Sequence, residues 1–405
     1  MRKLVIGIFL LGCILNAIAQ TTTYPFIKYD KNKITYYKDS SNMLAFFNKM
    51  NELRDGKRKS VNIVHIGGSH IQAGFFTENM HDNFQALGNF EGGGLYAFPF
   101  KLGKTNSPHS YKTYSNGTWK RCRCITKEKC TPLGVSGIAV VTNDSANYFA
   151  LKIQPNAHLK NFTKIKVYHN FNNSFHFSYH RGLPAAYKKY DMPKEGYTIY
   201  VFDTPQDSVC FDLLRKDTLQ KDFALYGFSL ENEKPGYYYA YMGVNGASTE
   251  SFLNCEDFSK QLKTLSPDLV IFSLGVNDVH GPNFNAKLYM AHYDSLISKV
   301  REAAPNCTIL FTTISDNYIR KKTPNKKSML GDDAIYELAE KRGLAVWDLF
   351  EIMGGYKSMM KWYKAKLASR DKVHFSAKGY RILADLMFEA LMNSYNANNP
   401  IKKQN

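Results

Sequence analysis

Four short segments, far apart in the chain, contain side chains that could do chemistry together. They are His65–Gln72, Gly243–Ser248, Leu274–Asp278 and Asp371–Ser376. In that order they offer a serine, a glycine, an asparagine, and an aspartate three residues before a histidine. Such a set can supply a nucleophile, two oxyanion donors, and a base held by its orienting acid. These are the parts of an acyl-transfer site, and the prediction depends on their combination because each segment alone is weak evidence.

Ser69 is the candidate nucleophile. It follows an apolar strand predicted over Val61–Ile66 and precedes a helix predicted from about Gln72 to Leu87. The hydroxyl would therefore lie at the carboxyl end of a strand, where ligands bind in open α/β sheets. The free N–H groups of the helix N-terminus would favour negative charge at the same place. The alternative is a serine that only caps the helix.

His374 is the candidate base. Asp371 can accept a hydrogen bond from one ring nitrogen, which leaves the other nitrogen to face the serine. Asn277 follows a predicted strand, so its amide can reach the same sheet edge, and Gly246 offers a backbone N–H that no side chain shields. With the N–H of Ser69 these make three donors to an oxyanion. A turn asparagine and a turn glycine are the alternatives.

The hydrophobic pattern around these residues predicts an α/β domain. Four strands are predicted, at Val61–Ile66, Asp268–Ser273, Thr308–Thr313 and Leu344–Trp347. Helices are predicted at about 72–87, at 286–303, at 332–341, and after the N-cap Ser376. Alternating strands and helices indicate a parallel sheet covered on both faces, which is a three-layer α/β/α sandwich.

A different pattern separates the nucleophile segment from the glycine segment. Short β-branched and aromatic runs alternate with turn residues, at Tyr148–Ile153, Lys164–Tyr168, Ser174–Tyr179 and Tyr197–Phe202. They predict an antiparallel β-sandwich, inserted at 96–234 between two parts of the α/β domain, 20–95 and 235–396. Its aromatic side chains could stack on sugar rings, but a place in the core is the favoured interpretation.

The N-terminus predicts export. Arg2 and Lys3 precede an apolar run, Leu4–Leu15, and small residues follow up to Ala19. This order is typical of a cleavable signal peptide, residues 1–19, and the run is too short for a stable membrane anchor. We therefore expect a periplasmic or secreted protein. Lipid attachment at Cys13 is the less favoured alternative, because the residues that follow it stay apolar.

The composition bounds the partners. The chain of 405 residues carries 53 Lys and Arg against 35 Asp and Glu, a formal net charge of +18, or +16 without Arg2 and Lys3. Outside the cytoplasm this favours peripheral association with anionic envelope polymers or lipid surfaces. No motif of a nucleic-acid reader is present. A solvated lysine face, without any partner, is the alternative, and the sequence makes no prediction of the oligomeric state.

Cysteine and histidine spacing argues for disulfides rather than metal. Cys122, Cys124 and Cys130 lie close together, which predicts at least one disulfide in an oxidising compartment, with the pairing left open. No CxxC pair occurs, and His176 and His180 have no third ligand beside them. No metal and no cofactor are predicted.

The four segments resemble the SGNH (GDSL-type) hydrolase and esterase superfamily, whose pattern is a Gly-Asp-Ser segment, a glycine, Gly-x-Asn-Asp, and Asp-x-x-His. The resemblance implies a flavodoxin-like fold and no cofactor. It implies that Ser69 is the nucleophile, that Gly246 and Asn277 complete the oxyanion hole, and that Asp371 and His374 complete the triad. It covers about 60–89 and 238–395.

Two further features refine the resemblance. The stretches Gly-Ser-His-Ile-Gln and Gly-Val-Asn-Gly-Ala are similar to a bacterial envelope subgroup, which carries an inserted β-sandwich and resembles O-acetylesterases of peptidoglycan and other polysaccharides. Gly68, however, stands where the family pattern has an aspartate. Glycine loosens this turn and could displace the serine hydroxyl. His70 and His280 neighbour the site and are expected either to line the pocket or to support it.

The sequence therefore predicts an exported serine esterase that removes acyl groups, most simply O-acetyl groups, from a cell-envelope or other polysaccharide. The substrate follows from the resemblance and the predicted export, and no single residue specifies it. Two alternatives stay open: an esterase or lysophospholipase that acts on lipids, and a carbohydrate-binding protein on a catalytically degenerate esterase scaffold. Acyl transfer to a sugar instead of to water is a further alternative that depends on how dry the pocket is.

Overall fold

The computed structural model describes residues 23–88, 90–180 and 186–399. The predicted signal peptide and Cys13 lie outside the described residues. None of the described helices combines the length and the apolar character that a membrane crossing requires.

Strands and helices alternate along both ends of the described chain. The strands are β1 (Ile34–Tyr36), β2 (Ser60–Gly67), β3 (Gly92–Ala97), β4 (Tyr111–Ser115), β5 (Lys120–Arg123), β6 (Ile138–Thr142), β7 (Ala146–Ile153), β8 (Phe162–His169), β9 (Phe175–Tyr179), β10 (Tyr187–Met192), β11 (Tyr197–Gln206), β12 (Ser208–Arg215), β13 (Phe223–Glu231), β14 (Gly236–Gly243), β15 (Leu269–Ser273), β16 (Thr308–Thr312), β17 (Tyr318–Ile319), β18 (Thr323–Pro324) and β19 (Ala345–Trp347). The helices are α1 (Ser41–Arg54), α2 (Ser69–Gln72), α3 (Phe75–Ala86), α4 (Thr249–Leu253), α5 (Phe258–Thr264), α6 (Val276–His280), α7 (Ala286–Ala303), α8 (Lys327–Arg342), α9 (Leu349–Ile352), α10 (Ser358–Lys364) and α11 (Ala377–Asn398).

The α/β part is built on a parallel sheet with the strand order β19-β16-β15-β2-β14-β3, to which β1 adds an antiparallel edge. Helices cover it, with α3 against α11 and α7 against α8. The predicted three-layer α/β/α architecture is therefore confirmed. The register matters for the site, because Gly67 at the end of β2 pairs with Gly243 of β14 on one side and with Ser273 of β15 on the other. Three of the four chemical segments thus begin at one level of the sheet edge.

The structure corrects some predicted elements. The helix expected over 72–87 is two helices, because Gly74 between α2 and α3 has a positive φ of 82° that interrupts the helical backbone. The helix expected over 332–341 begins five residues earlier, at Lys327. Helix α1 and strand β14 were not predicted. Strand β14 is rich in tyrosine and is buried in the middle of the sheet, so it lacks a clear alternation of polar and apolar residues.

An antiparallel β-sandwich follows β3. One sheet has the order β4-β7-β12-β9, and the opposing layer consists of β13, β8, β11 and β10, which continue the main sheet beyond β3. The two layers meet through aromatic side chains, since the ring of Phe149 lies 6.0 Å from that of Phe223 and the ring of Phe177 lies 6.3 Å from that of Tyr200. These aromatic side chains are buried in the core. The boundaries at 95/96 and 234/235 stay predictions, and β3 runs across the first of them.

One disulfide, Cys122–Cys130, forms within the cysteine-rich loop. The third cysteine of that loop, Cys124, is buried, and its thiol hydrogen-bonds with Cys255, which lies more than a hundred residues further along the chain. No group of three or more potential metal ligands occurs among residues 23–88, 90–180 and 186–399.

Candidate active site

Two glycines let the chain turn sharply from β2 into α2. A Cβ on Gly67 would lie 2.3 Å from the side chain of Ile71 and 2.9 Å from the carbonyl oxygen of Ser273, so no side chain fits there. The carbonyl of Gly68 then accepts the N–H groups of Ile71 and Gln72, at 3.2 and 3.1 Å. Ser69 is the first residue of α2 and stands at the carboxyl edge of the sheet.

Ser69, His374 and Asp371 meet in one hydrogen-bonded chain. The Oγ of Ser69 lies 2.7 Å from Nε2 of His374, and Nδ1 of His374 lies 2.7 Å from Oδ2 of Asp371. More than 300 residues separate Ser69 from His374 along the chain. In this geometry Nδ1 donates to the carboxylate, which leaves Nε2 to accept the serine proton.

The loop around Asp371 holds its carboxylate in the charged form. Burial alone would raise the pKa of Asp371, but hydrogen bonds from His374 and Ser369 and from two backbone N–H groups hold the pKa well below its usual range. The backbone donors are those of Val373 and His374, at 2.9 and 3.0 Å from Oδ1. An ionised Asp371 fixes the tautomer of His374 and stabilises the imidazolium that forms when the base takes a proton.

The oxyanion donors lie beside Ser69. The side-chain amide of Asn277 donates to the carbonyl of Ala247 at 2.8 Å, which fixes the amide next to the loop of Gly246. Gly246 has a φ of 86°, and the atom nearest to an added Cβ would be Cδ1 of Ile125, 3.5 Å away. Within the described residues, the backbone N–H groups of Ser69 and Gly246 make no hydrogen bond. They are free to bind a ligand oxygen, as is the second amide proton of Asn277.

Two side chains that the sequence analysis gave no role hold these loops together. The carboxylate of Asp278 accepts the N–H of Thr249 at 3.1 Å and its hydroxyl at 2.6 Å. Gln72 is buried, accepts the N–H of Asn245 at 2.8 Å, and donates to Oδ1 of Asn106 at 2.8 Å. Asp278 and Gln72 both lie in the segments singled out from the sequence, but nothing in the sequence shows which residues they contact.

Gly68 makes close contact with the oxyanion amide. An added Cβ at this position would lie 3.2 Å from Nδ2 of Asn277 and 3.4 Å from the carbonyl oxygen of Ala247. The backbone of Gly68, at φ −93°, is open to any residue, so the position is restricted by space and not by conformation. The hydroxyl of Ser69 nevertheless lies within hydrogen-bond distance of His374.

The two neighbouring histidines have structural partners. Nδ1 of His70 lies 2.8 Å from the hydroxyl of Tyr380, and Nε2 of His280 lies 2.8 Å from Oδ1 of Asn317. Burial lowers the pKa of His70 to about 3, so its ring is neutral near pH 7. His70 packs against His374, with 5.1 Å between the ring centroids. It thus supports the catalytic ring from the side without adding a charge.

Residues 217–382 match the GDSL-like lipase/acylhydrolase family. The matched range contains Gly246, Asn277, Asp371 and His374, while Ser69 precedes it on the far side of the sandwich. No curated protein matches the chain in sequence.

Solved structures share the fold. A peptidoglycan O-acetylesterase is 19% identical, with a TM-score of 0.71 over 90% of this chain and 99% of that one. An acetyl xylan esterase is 24% identical, with a TM-score of 0.32 over 38% of this chain and 81% of that one. A GDSL-like lipase from Bacteroides thetaiotaomicron is 19% identical, with a TM-score of 0.32 over 39% and 76% of the two chains. The first similarity includes the sandwich as well as the α/β part.

Proposed function

Because the chain carries a GDSL-like acylhydrolase domain and is a carboxylic ester hydrolase of the SGNH type, we propose that it is an exported serine esterase that removes O-acetyl groups from a polysaccharide. The observation that carries this proposal is the hydrogen-bonded chain Ser69–His374–Asp371 beside the free N–H of Gly246. A triad is recognised by such geometry and not by its position in the sequence.

The chemistry follows from the contacts. The Oγ of Ser69 attacks the ester carbonyl while its proton passes to Nε2 of His374. The oxyanion accepts hydrogen bonds from the N–H groups of Ser69 and Gly246 and from the amide of Asn277. The imidazolium of His374 then gives its proton to the departing sugar oxygen. Water attacks the acyl-enzyme, again losing a proton to His374, and that proton returns to Ser69 as the acid is released.

The size of the apolar space beside the triad supports a short acyl group. A cavity lined by His70, Val276 and Phe375, among other mostly apolar side chains, has a volume of about 50 Å³. An engineered protein cavity of roughly 150 Å³ is needed to hold benzene. The cavity has no room for a long alkyl chain, which argues for acetyl and against a lysophospholipid as the substrate.

The polysaccharide and the location are inferred from less direct evidence. The structural similarity to a peptidoglycan O-acetylesterase extends over the sandwich as well as the α/β part. The predicted signal peptide would deliver the protein to an envelope compartment. A net charge of +18 would hold a protein near anionic envelope polymers.

The proposal is tested by acetate release from O-acetylated peptidoglycan, acetylated xylan and a lysophospholipid, each compared with 4-nitrophenyl acetate. We expect the wild-type protein to release acetate from one of the glycans and Ser69→Ala to lose at least about 10³-fold in kcat on every active substrate. Equal rates for the wild-type protein and Ser69→Ala would contradict catalysis and favour a binding protein. Turnover of the lysophospholipid alone would replace the acetylesterase with a lipid esterase.

A further inference from the structure

A second pocket lies between the α/β part and the sandwich. It has a volume of about 310 Å³, at the lower end of the range of roughly 300–1,000 Å³ that is usual for ligand pockets. We call it the α3 pocket and define it by Phe75, Glu78, Asp82, Asn156, His158 and Arg381. Its walls come from helices α3 and α11 and from loops of the sandwich, so it exists only where the two parts of the chain meet.

The floor of the α3 pocket carries two carboxyl groups on successive turns of α3. Oε1 of Glu78 accepts the hydroxyl of Ser110 and, at 3.2 Å, the hydroxyl of Tyr241, which fixes the position of the carboxyl group. Asp82 contacts His158 of the sandwich. Burial raises the pKa of Glu78, and it raises the pKa of Asp82 to about 6. Fixed carboxyl groups are strong acceptors for hydroxyl donors of a ligand.

The rim of the pocket has unused hydrogen-bonding capacity. Asn156, His109 and Arg381 are exposed. Their side chains make no hydrogen bond or ion pair within the described residues. An amide, an imidazole and a guanidinium group together offer donors and acceptors in several directions. A ligand with many hydroxyl groups could use all of them.

One wall of the pocket is aromatic and leads back to the triad. The ring of Phe75 lies 5.3 Å from the ring of His109 and 6.3 Å from that of Tyr380, to which it is nearly parallel. The ring of Tyr380 lies 5.8 Å from that of His70, which in turn lies 5.1 Å from the ring of His374. Three short steps between rings therefore separate the pocket wall from the catalytic base.

We propose that the α3 pocket binds a sugar unit of the glycan chain, next to the unit whose ester is held at Ser69. An aromatic face for the apolar side of a sugar ring, carboxyl groups beneath it, and amide and guanidinium groups around it match the chemistry of a pyranose. The proposal rests on the proposed function, because it assigns a specificity site to the same reaction. Its energetic effect appears only with polymeric or oligomeric substrates, which extend from Ser69 to the pocket.

The test compares Arg381→Ala and Asn156→Ala with two controls on exposed surfaces outside the pocket, Lys287→Ala and Asn396→Ala. The measured quantity is kcat/KM on O-acetylated glycan divided by kcat/KM on 4-nitrophenyl acetate. We expect this ratio to fall about tenfold in each pocket variant, mainly through KM, and to stay unchanged in the controls. An unchanged ratio in the pocket variants would contradict the proposal. A fall that occurs only with glycans bearing peptides would assign the pocket to peptide instead.

A binding measurement separates this inference from the proposed function. Titration calorimetry with de-O-acetylated glycan oligosaccharides uses Ser69→Ala alone and Ser69→Ala combined with Arg381→Ala. We expect at least about tenfold weaker binding in the double variant. Equal affinities would overturn the pocket assignment even if the esterase is active. Weaker binding in the double variant would support it even if no ester were hydrolysed.

Discussion

Asp278 accepts two hydrogen bonds from Thr249, and this contact joins the two loops that carry the oxyanion donors. Asn277 precedes Asp278 directly, and Gly246 lies three residues before Thr249. Burial raises the pKa of Asp278, while its hydrogen bonds with Thr249 lower it. The carboxyl group thus acts as a positioning group, since it fixes the distance between the donors without touching the substrate.

Thr249→Val tests this contact. The substitution keeps the shape of the side chain but removes the hydroxyl donor at 2.6 Å from Asp278, so the Gly246 loop becomes less well fixed. We expect kcat to fall about tenfold with little change in KM, because oxyanion donors act mainly in the transition state. Thr35→Val on the edge strand β1 is the control. A rise in KM with constant kcat would argue against a role in oxyanion stabilisation.

Asp371→Asn removes the charge that orients His374. The amide can present an N–H to the ring and so favour the wrong tautomer, and we expect kcat to fall by about 10²–10⁴. Ser369→Ala removes only one of the hydrogen bonds to Asp371 and should cost much less. Steady-state kinetics on 4-nitrophenyl acetate measures both. Equal losses in the two variants would indicate that the loop collapses and that the charge itself is not the cause.

Gly68→Ala probes the departure from the family pattern. The added Cβ would lie 3.2 Å from Nδ2 of Asn277, so the amide must move by a few tenths of an ångström. A displacement of 1 Å can cost about 10²-fold, so we expect a loss of a few-fold in kcat with an unchanged melting temperature. Ala at the unhindered Gly56 is a poor control because of its positive φ; Ser60→Ala, at the start of β2, serves instead. Wild-type activity in Gly68→Ala would show that the amide tolerates the contact.

His65 should make the fold sensitive to acid. This side chain is fully buried beneath the site, and burial lowers its pKa to about 3. The unfolded chain binds a proton at His65 below a pH of about 6.5, whereas the folded chain does not, so the free energy of unfolding falls as the pH drops from about 6.5 towards 3.

His65→Gln removes this contribution. Urea unfolding at several pH values between 4 and 7 should give a weaker pH dependence for the variant than for the wild-type protein. Well below pH 6.5 the difference in slope should approach about 1.4 kcal/mol per pH unit. His180→Gln is the control, because His180 is exposed. Identical slopes for His65→Gln and the wild-type protein would contradict a neutral buried ring.

Much of the site could be predicted from local patterns. Ser69, Asn277 and Gly246 each follow a strand-like or glycine-containing segment, and Asp371 lies one helical turn before His374 at the start of a capped helix. These features depend on neighbours in the sequence, and the final helix does begin after Ser376, whose hydroxyl accepts the N–H of Gly379 at 3.2 Å. The α/β layering could be predicted for the same reason, since hydrophobic periodicity reports which face of each element is buried.

Other features depend on which strands are neighbours, and that only the tertiary structure decided. The pairing of Gly67 with both Gly243 and Ser273 brings three segments to one level, but strand β14 was not visible as a strand. The contact of Cys124 with Cys255 and the whole α3 pocket arise where the sandwich meets the α/β part. Local sequence determines the chemistry that each segment offers. Packing between distant segments determines which of these groups meet, because that depends on sheet order and register over hundreds of residues.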